Sequence, residues 1–165
     1  MPKLTRYAAA IIFCIGILFV AQKADASCFP CGCTVNGDSL TFGNYSPATP
    51  TALKVSATPS ITCSALLSIA GTAIVSLSTG NSGTFTQRKM LGPSSSPLGY
   101  NVFTDSSDQH VFGDGTGGSK TVTVDLGIIL LCPSTVNIPI YGVIPAGYSA
   151  RSGAYSDSLT MTVNY

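Results

Sequence analysis

Residues 159–165 read Leu-Thr-Met-Thr-Val-Asn-Tyr. Apolar side chains fall at 159, 161, 163 and 165 with polar ones between them. A helix cannot satisfy that two-residue period, whereas a β-strand turns it into one buried and one solvated face. The same grammar recurs upstream. Short alternating or β-branched runs stand at 39–45, 56–63, 72–78, 98–104, 120–126 and 136–143, separated by Gly, Pro, Asn and Asp. With 156–165 as the seventh, they predict an all-β chain, a β-sandwich of immunoglobulin-like type. The buried Trp of antibody domains has no counterpart, because the chain contains no Trp.

The N-terminus follows a different rule. Lys3 and Arg6 precede an apolar run over residues 7–21, and Ala24-Asp25-Ala26 follows it. A charged head, an apolar stretch and a small-x-small triplet in that order predict a cleaved export signal over 1–26. The run falls short of the ~20 apolar residues that a spanning helix needs. A lipoprotein signal is disfavoured because no Leu stands three positions before Cys28. The expectation is one exported domain over 27–165, without a membrane segment in its mature form and large enough to bury a core. Loss of Lys3, Arg6, Lys23 and Asp25 leaves a net charge close to zero. Such a chain has no electrostatic footprint for nucleic acid.

Export decides how the cysteines are read. Cys14 lies in the signal segment, leaving Cys28, Cys31, Cys33, Cys63 and Cys132. Structural zinc takes four Cys or His ligands, usually in two pairs, and here three clustered cysteines have only distant singles and His110 to join them. A redox Cys-x-x-Cys opens a helix after a strand, and Pro30 and Gly32 argue against a helix there. In an oxidising compartment the expectation is disulfides. An odd number of cysteines leaves at least one unpaired or intermolecular.

Catalytic chemistry has few candidates. His110, in DSSDQHVFGDG with Asp105, Asp108 and Asp114 nearby, is the one histidine a Ser-His-Asp site could use. There is no G-x-S-x-G elbow, so no catalytic residue and no enzyme are expected. The three aspartates match no EF-hand spacing and read as solvated turn acids, so no metal is assigned. The glycines of 113–120 precede a strand pattern rather than a helix, which makes them a turn and not a phosphate cradle. Asn44-Tyr45-Ser46 fits a glycosylation sequon, followed directly by Pro47. No cofactor is implied.

Six segments occur in a telling order: CTVNGDSLTFGNYSP, SGTFTQRKM, LGYNVFTD, VFGDGTGG, IPIYGVIPAG and GAYSDSLTMTVNY. Over 33–165 the chain resembles the spore coat protein U domain family, pilin-like subunits secreted by archaic chaperone–usher systems. The resemblance implies an immunoglobulin-like sandwich lacking its last strand, with a groove where that strand would lie. A periplasmic pilus chaperone fills the groove first, and a neighbouring pilin-like subunit delivered at an outer-membrane usher fills it later. Strand addition of this kind removes exposed sheet edges and covers the open core. The family's chaperone and donor-strand contact maps onto Leu159, Met161, Val163 and Tyr165, and its disulfide onto Cys33 and Cys63.

The implied function is a structural subunit of an extracellular fibre or coat layer. The alternative is an adhesin-like chain-end domain that binds a surface or glycan. The start of the mature chain departs from the pilin pattern. The six residues from Ser27 to the one before Cys33 reach roughly 20 Å when extended, and Pro30 would interrupt a ladder. This argues against strand donation by the N-terminus. It leaves Cys28 and Cys31 two roles, tying the N-terminus to Cys132 or cross-linking chains.

Overall fold

The computed structural model describes residues 31–165 apart from 66–67 and 130–132. The expected signal segment, Cys28 and Cys132 lie outside the described residues. Among the described residues ten strands are formed: β1 (Cys31–Asn36), β2 (Leu53–Ala57), β3 (Ser60–Ala65), β4 (Ser68–Leu77), β5 (Arg88–Leu91), β6 (Pro97–Phe103), β7 (Val122–Ile129), β8 (Ser134–Asn137), β9 (Ile140–Ile144) and β10 (Met161–Asn164). They make three antiparallel sheets, ordered β1-β3-β8, β10-β4-β7 and β2-β9-β6-β5.

Side chains from all three sheets meet in one apolar cluster that includes Ile61, Val75, Val102, Val124 and Ile144. This is the all-β sandwich that the alternation predicts. On β4, Ala73, Val75 and Leu77 are buried while Thr72 and Ile74 are exposed. Each fully buried Val, Leu or Ile side chain stabilises the fold by roughly 1.5–3 kcal/mol.

Two predicted strands, 56–63 and 136–143, are each divided in two. Pro59 separates β2 from β3, and Pro139 stands between β8 and β9. Proline cannot donate to a ladder, and at each break the chain passes from one sheet to another. The two corners are joined directly, the Ile138 amide donating to the Pro59 carbonyl at 2.8 Å.

The run at 39–45 is a further correction. It forms no strand, although its Leu40 and Phe42 pack against the core. Two strands had gone unread: β1, whose Cys and Gly hide its alternation, and β5. On β5, Arg88 is buried where an apolar residue would ordinarily mark the inner face.

Cys33 and Cys63 face each other in the β1–β3 ladder, their Cα atoms 4.1 Å apart, and are disulfide-bonded. The bond ties the first described strand to the core through Cys63, which is buried.

Candidate functional site

Among the described residues, β10 pairs with β4 along one edge. Met161 faces Leu77 of β4, Thr162 faces Ser76, Val163 faces Val75 and Asn164 faces Ile74. Thr160 extends the pairing, its carbonyl accepting from the Ser78 amide at 2.9 Å and its amide donating to the Ser78 hydroxyl at 2.9 Å. Upstream, Leu91 and Ser156 exchange two backbone hydrogen bonds of 2.9 and 3.1 Å. The 155–164 stretch thus runs from the free side of β5 to β4. Among the described residues, no strand pairs with the other edge of β10.

Met161, at the start of β10, lines a cleft of about 1060 Å³. Residues 37–45 form one wall, residues 150–159 with Met161 form the other, and Leu77, Met90, Leu98, Tyr100, Val102, Ile140 and Ile144 form the floor. Those floor residues belong to the buried core. Protein interiors are packed with few voids larger than a water molecule. A cleft of this size along the core is therefore room for a further row of side chains.

Of the four predicted contact residues, Leu159 and Met161 line the cleft. Val163 is half-buried, packs against the core and continues the same row. Tyr165 lies beyond β10 and is 56% exposed. Thr160, Thr162 and Asn164 are exposed, as the two-residue period requires.

Polar groups that the sequence did not mark gather at one end. Arg88, fully buried, donates to the Ser78 carbonyl from Nε (3.0 Å) and Nη2 (2.7 Å), to the Phe112 carbonyl (2.7 Å) and to Asn101 Oδ1 (2.7 Å). Asn101 in turn donates to the Phe85 carbonyl at 2.9 Å. Tyr100 faces Arg88 across the β5–β6 ladder and donates its hydroxyl proton to Asp157 at 2.7 Å. Asp157 also accepts from the backbone amides of Asn81 (2.9 Å) and Ser158 (2.8 Å), which fixes the cleft wall. Burial pushes the Tyr100 hydroxyl far above its usual range, and its hydrogen bond to Asp157 adds to this. Burial also lowers the Arg88 guanidinium, opposed by Tyr100 and Asp157. A lone Arg in a short polar stretch, Gln87-Arg88-Lys89, carries no sequence signal of burial. Its role is structural, since every contact it makes is internal.

The loop candidates assemble no reaction centre. His110 Nδ1 lies 3.1 Å from Asp105 Oδ2 in an exposed loop. Asp105 is held below the usual carboxylate range by the Ser107 hydroxyl and by the Gln109 and His110 amides. Ser107 is spent on Asp105 rather than on the imidazole. Asp108 pairs with Lys54, and Asp114 accepts from the Thr116 amide and hydroxyl within its own turn. Among the described residues, no three His, Cys, Asp or Glu side chains are grouped as metal ligands.

Comparison with solved structures places this sandwich among known ones. One similar chain comes from the crystal structure of the CsuC–CsuE chaperone–tip adhesion subunit pre-assembly complex of the archaic chaperone–usher Csu pili of Acinetobacter baumannii. Identity is 22% and the TM-score 0.54, over 82% of this chain and 40% of that one. The chain thus spans well under half the length of that relative, and at this identity the likeness is one of fold. A chain from a chaperone–usher pilus is also similar, at 15% identity and a TM-score of 0.42, covering 100% of this chain and 99% of that one. No curated protein matches the sequence. The model of the Spore Coat Protein U domain matches residues 20–162. Since that match runs over nearly the whole length, the chain belongs to the spore coat protein U domain family.

Proposed function

We propose that this protein is a structural subunit of a secreted surface fibre or coat-like layer, built by a chaperone–usher pathway, and that its cleft accepts a β-strand. A periplasmic chaperone supplies that strand first and a neighbouring subunit replaces it, with an outer-membrane usher as the site of exchange. Residues 1–26 direct export and 27–165 are the assembled domain. The observation that carries this reading is the unpaired edge of β10 beside a cleft floored by buried apolar side chains. A strand laid along β10 would satisfy free backbone groups and set alternate side chains, ~6.8 Å apart, onto that floor. Leu159, Met161, Val163 and Tyr165 are the contacts on the subunit side. The complex of a chaperone with a tip adhesion subunit in the relative's structure agrees with this reading. Nothing in it calls for catalysis.

The test is co-expression of the full chain with and without a periplasmic pilus chaperone. An unpaired strand edge is a template for pairing with another chain and promotes aggregation. Soluble 1:1 complex with the chaperone, and aggregated or degraded subunit without it, is the expected result. Equal yields of soluble monomer in both cultures, with no complex on size exclusion, would overturn the proposal.

A further inference from the structure

Between β1 and β2, residues 39–44 run along the cleft wall without joining any ladder. No backbone hydrogen bond ties them to another described residue. Yet their side chains alternate as a strand's would, Leu40 and Phe42 half-buried against the core and Ser39, Thr41 and Gly43 exposed. Leu40 Cδ2 and Phe42 Cζ sit 2.5 and 2.7 Å from where a Cβ on Gly142 of β9 would lie. Phe42 also meets the Tyr100 ring edge-on, centroids 5.8 Å apart at 76°. These two side chains occupy space over the inner face of the β2-β9-β6-β5 sheet that only a glycine leaves open.

Both ends of the segment are held. The Tyr45 hydroxyl accepts from the Tyr148 amide at 2.7 Å and stands within donating distance of the Tyr148 carbonyl at 3.0 Å. At the other end the Asp38 carboxylate accepts from the Thr58 amide at 3.5 Å. Gly43 lies between them at φ +71°, a left-handed conformation that glycine adopts without strain. The segment is therefore fixed at its ends, free of ladder bonds in its middle, and plugged in by two side chains.

We infer that residues 39–44 are a strap, whose Leu40 and Phe42 stand over Gly142 as placeholders in the unfilled subunit and swing out when an incoming strand brings its own side chains. The inference rests on the strand-accepting reading of the cleft and adds a regulator to it. The strap shields the core while the cleft is empty, and its removal opposes filling. Only a strand with enough apolar side chains to replace both plugs displaces it.

The experiment uses the full chain, refolded from denaturant at high dilution so that the unfilled form stays in solution, and the same chain carrying, after Tyr165, a Gly-Ser linker and an alternating Val-Thr strand of about ten residues. A strand of the same composition with its valines in one block is the control. Because the chain has no Trp, Phe42→Trp makes residue 42 the sole tryptophan reporter. Its emission should be blue-shifted in the unfilled chain and should move to the red when the alternating strand is attached. Independently, Phe42→Ala should lower the melting temperature of the unfilled chain by several degrees and leave that of the filled chain within about one degree. If the alternating strand raises the melting temperature over the control but Phe42→Ala costs the same in both forms, Phe42 is permanent core and the strap is excluded. If the alternating strand gives no rise over the control, the strand-accepting reading fails and the strap falls with it.

Discussion

Met161 and Leu77 face each other across the β10–β4 ladder, and both side chains front the same cleft. One rung of the sheet thus joins β10 to the apolar floor of the cleft. If β10 is the assembly contact, Leu159→Ser with Met161→Ser should weaken chaperone capture by at least tenfold in a pull-down and reduce secretion. Each loses roughly 1.5–3 kcal/mol of apolar burial in the filled cleft. Thr160→Ser with Thr162→Ser, on the exposed face, should change capture less than twofold. Unchanged capture with the first pair would remove β10 from the contact.

The disulfide between Cys33 and Cys63 closes a loop of 30 residues. In the chain-entropy account such a loop is worth about 3–4 kcal/mol. Cys33→Ser with Cys63→Ser should therefore lower thermal stability markedly, and dithiothreitol should do the same to the natural protein. Non-reducing peptide mapping of secreted material should recover the two residues in one linked fragment.

Arg88 is a buried cation whose partners are two backbone carbonyls and the Asn101 amide oxygen. Truncation strands the Ser78 and Phe112 carbonyls, while Asn101 Oδ1 keeps the Val102 amide at 3.0 Å. Arg88→Ala should cost about 3–5 kcal/mol, read by urea unfolding of the chaperone-free, strand-complemented protein. Arg88→Lys keeps the charge but not the fork of donors, and its cost should fall between zero and that of the alanine variant.

Tyr100 supplies a pH signature. Its folded pKa is raised by burial and by Asp157 above the ordinary value of 10.0. Below pH 10 the hydroxyl is protonated whether the chain is folded or not, and its hydrogen bond contributes in full. Above it the unfolded chain ionises first, so stability falls as pH rises towards the folded value. Tyr100→Phe should lower stability near pH 7 yet flatten the decline between pH 10 and 11. Parallel curves for the two proteins in that interval would show that Tyr100 contributes nothing to the alkaline limb.

How much of this was legible in the sequence depended on how local each feature is. The period of two at 159–165 identified an inward row, and Leu159, Met161 and Val163 occupy it. Tyr165 continued the pattern on paper but lies past the ladder, because alternation says which face a residue takes and not where pairing stops. The same limit applies at 39–45, where alternation is present and a ladder is not. The prolines that divide 56–63 and 136–143 were visible, but that the chain changes sheets there was not.

Arg88, Asn101, Tyr100 and Asp157 come together only through pairings distant in sequence, and no residue type or spacing announces them. The sequence by itself determined the class of structure, the inward face of the last strand and, by resemblance, the Cys33–Cys63 pair, since each follows from side-chain period, composition or motif order. Tertiary structure alone decided which strand edge stays open, what floors the cleft beside it and which side chains stand in that cleft meanwhile. Those depend on how separate strands pair and cross, and the free energy of pairing belongs to contacts between segments rather than to any one of them.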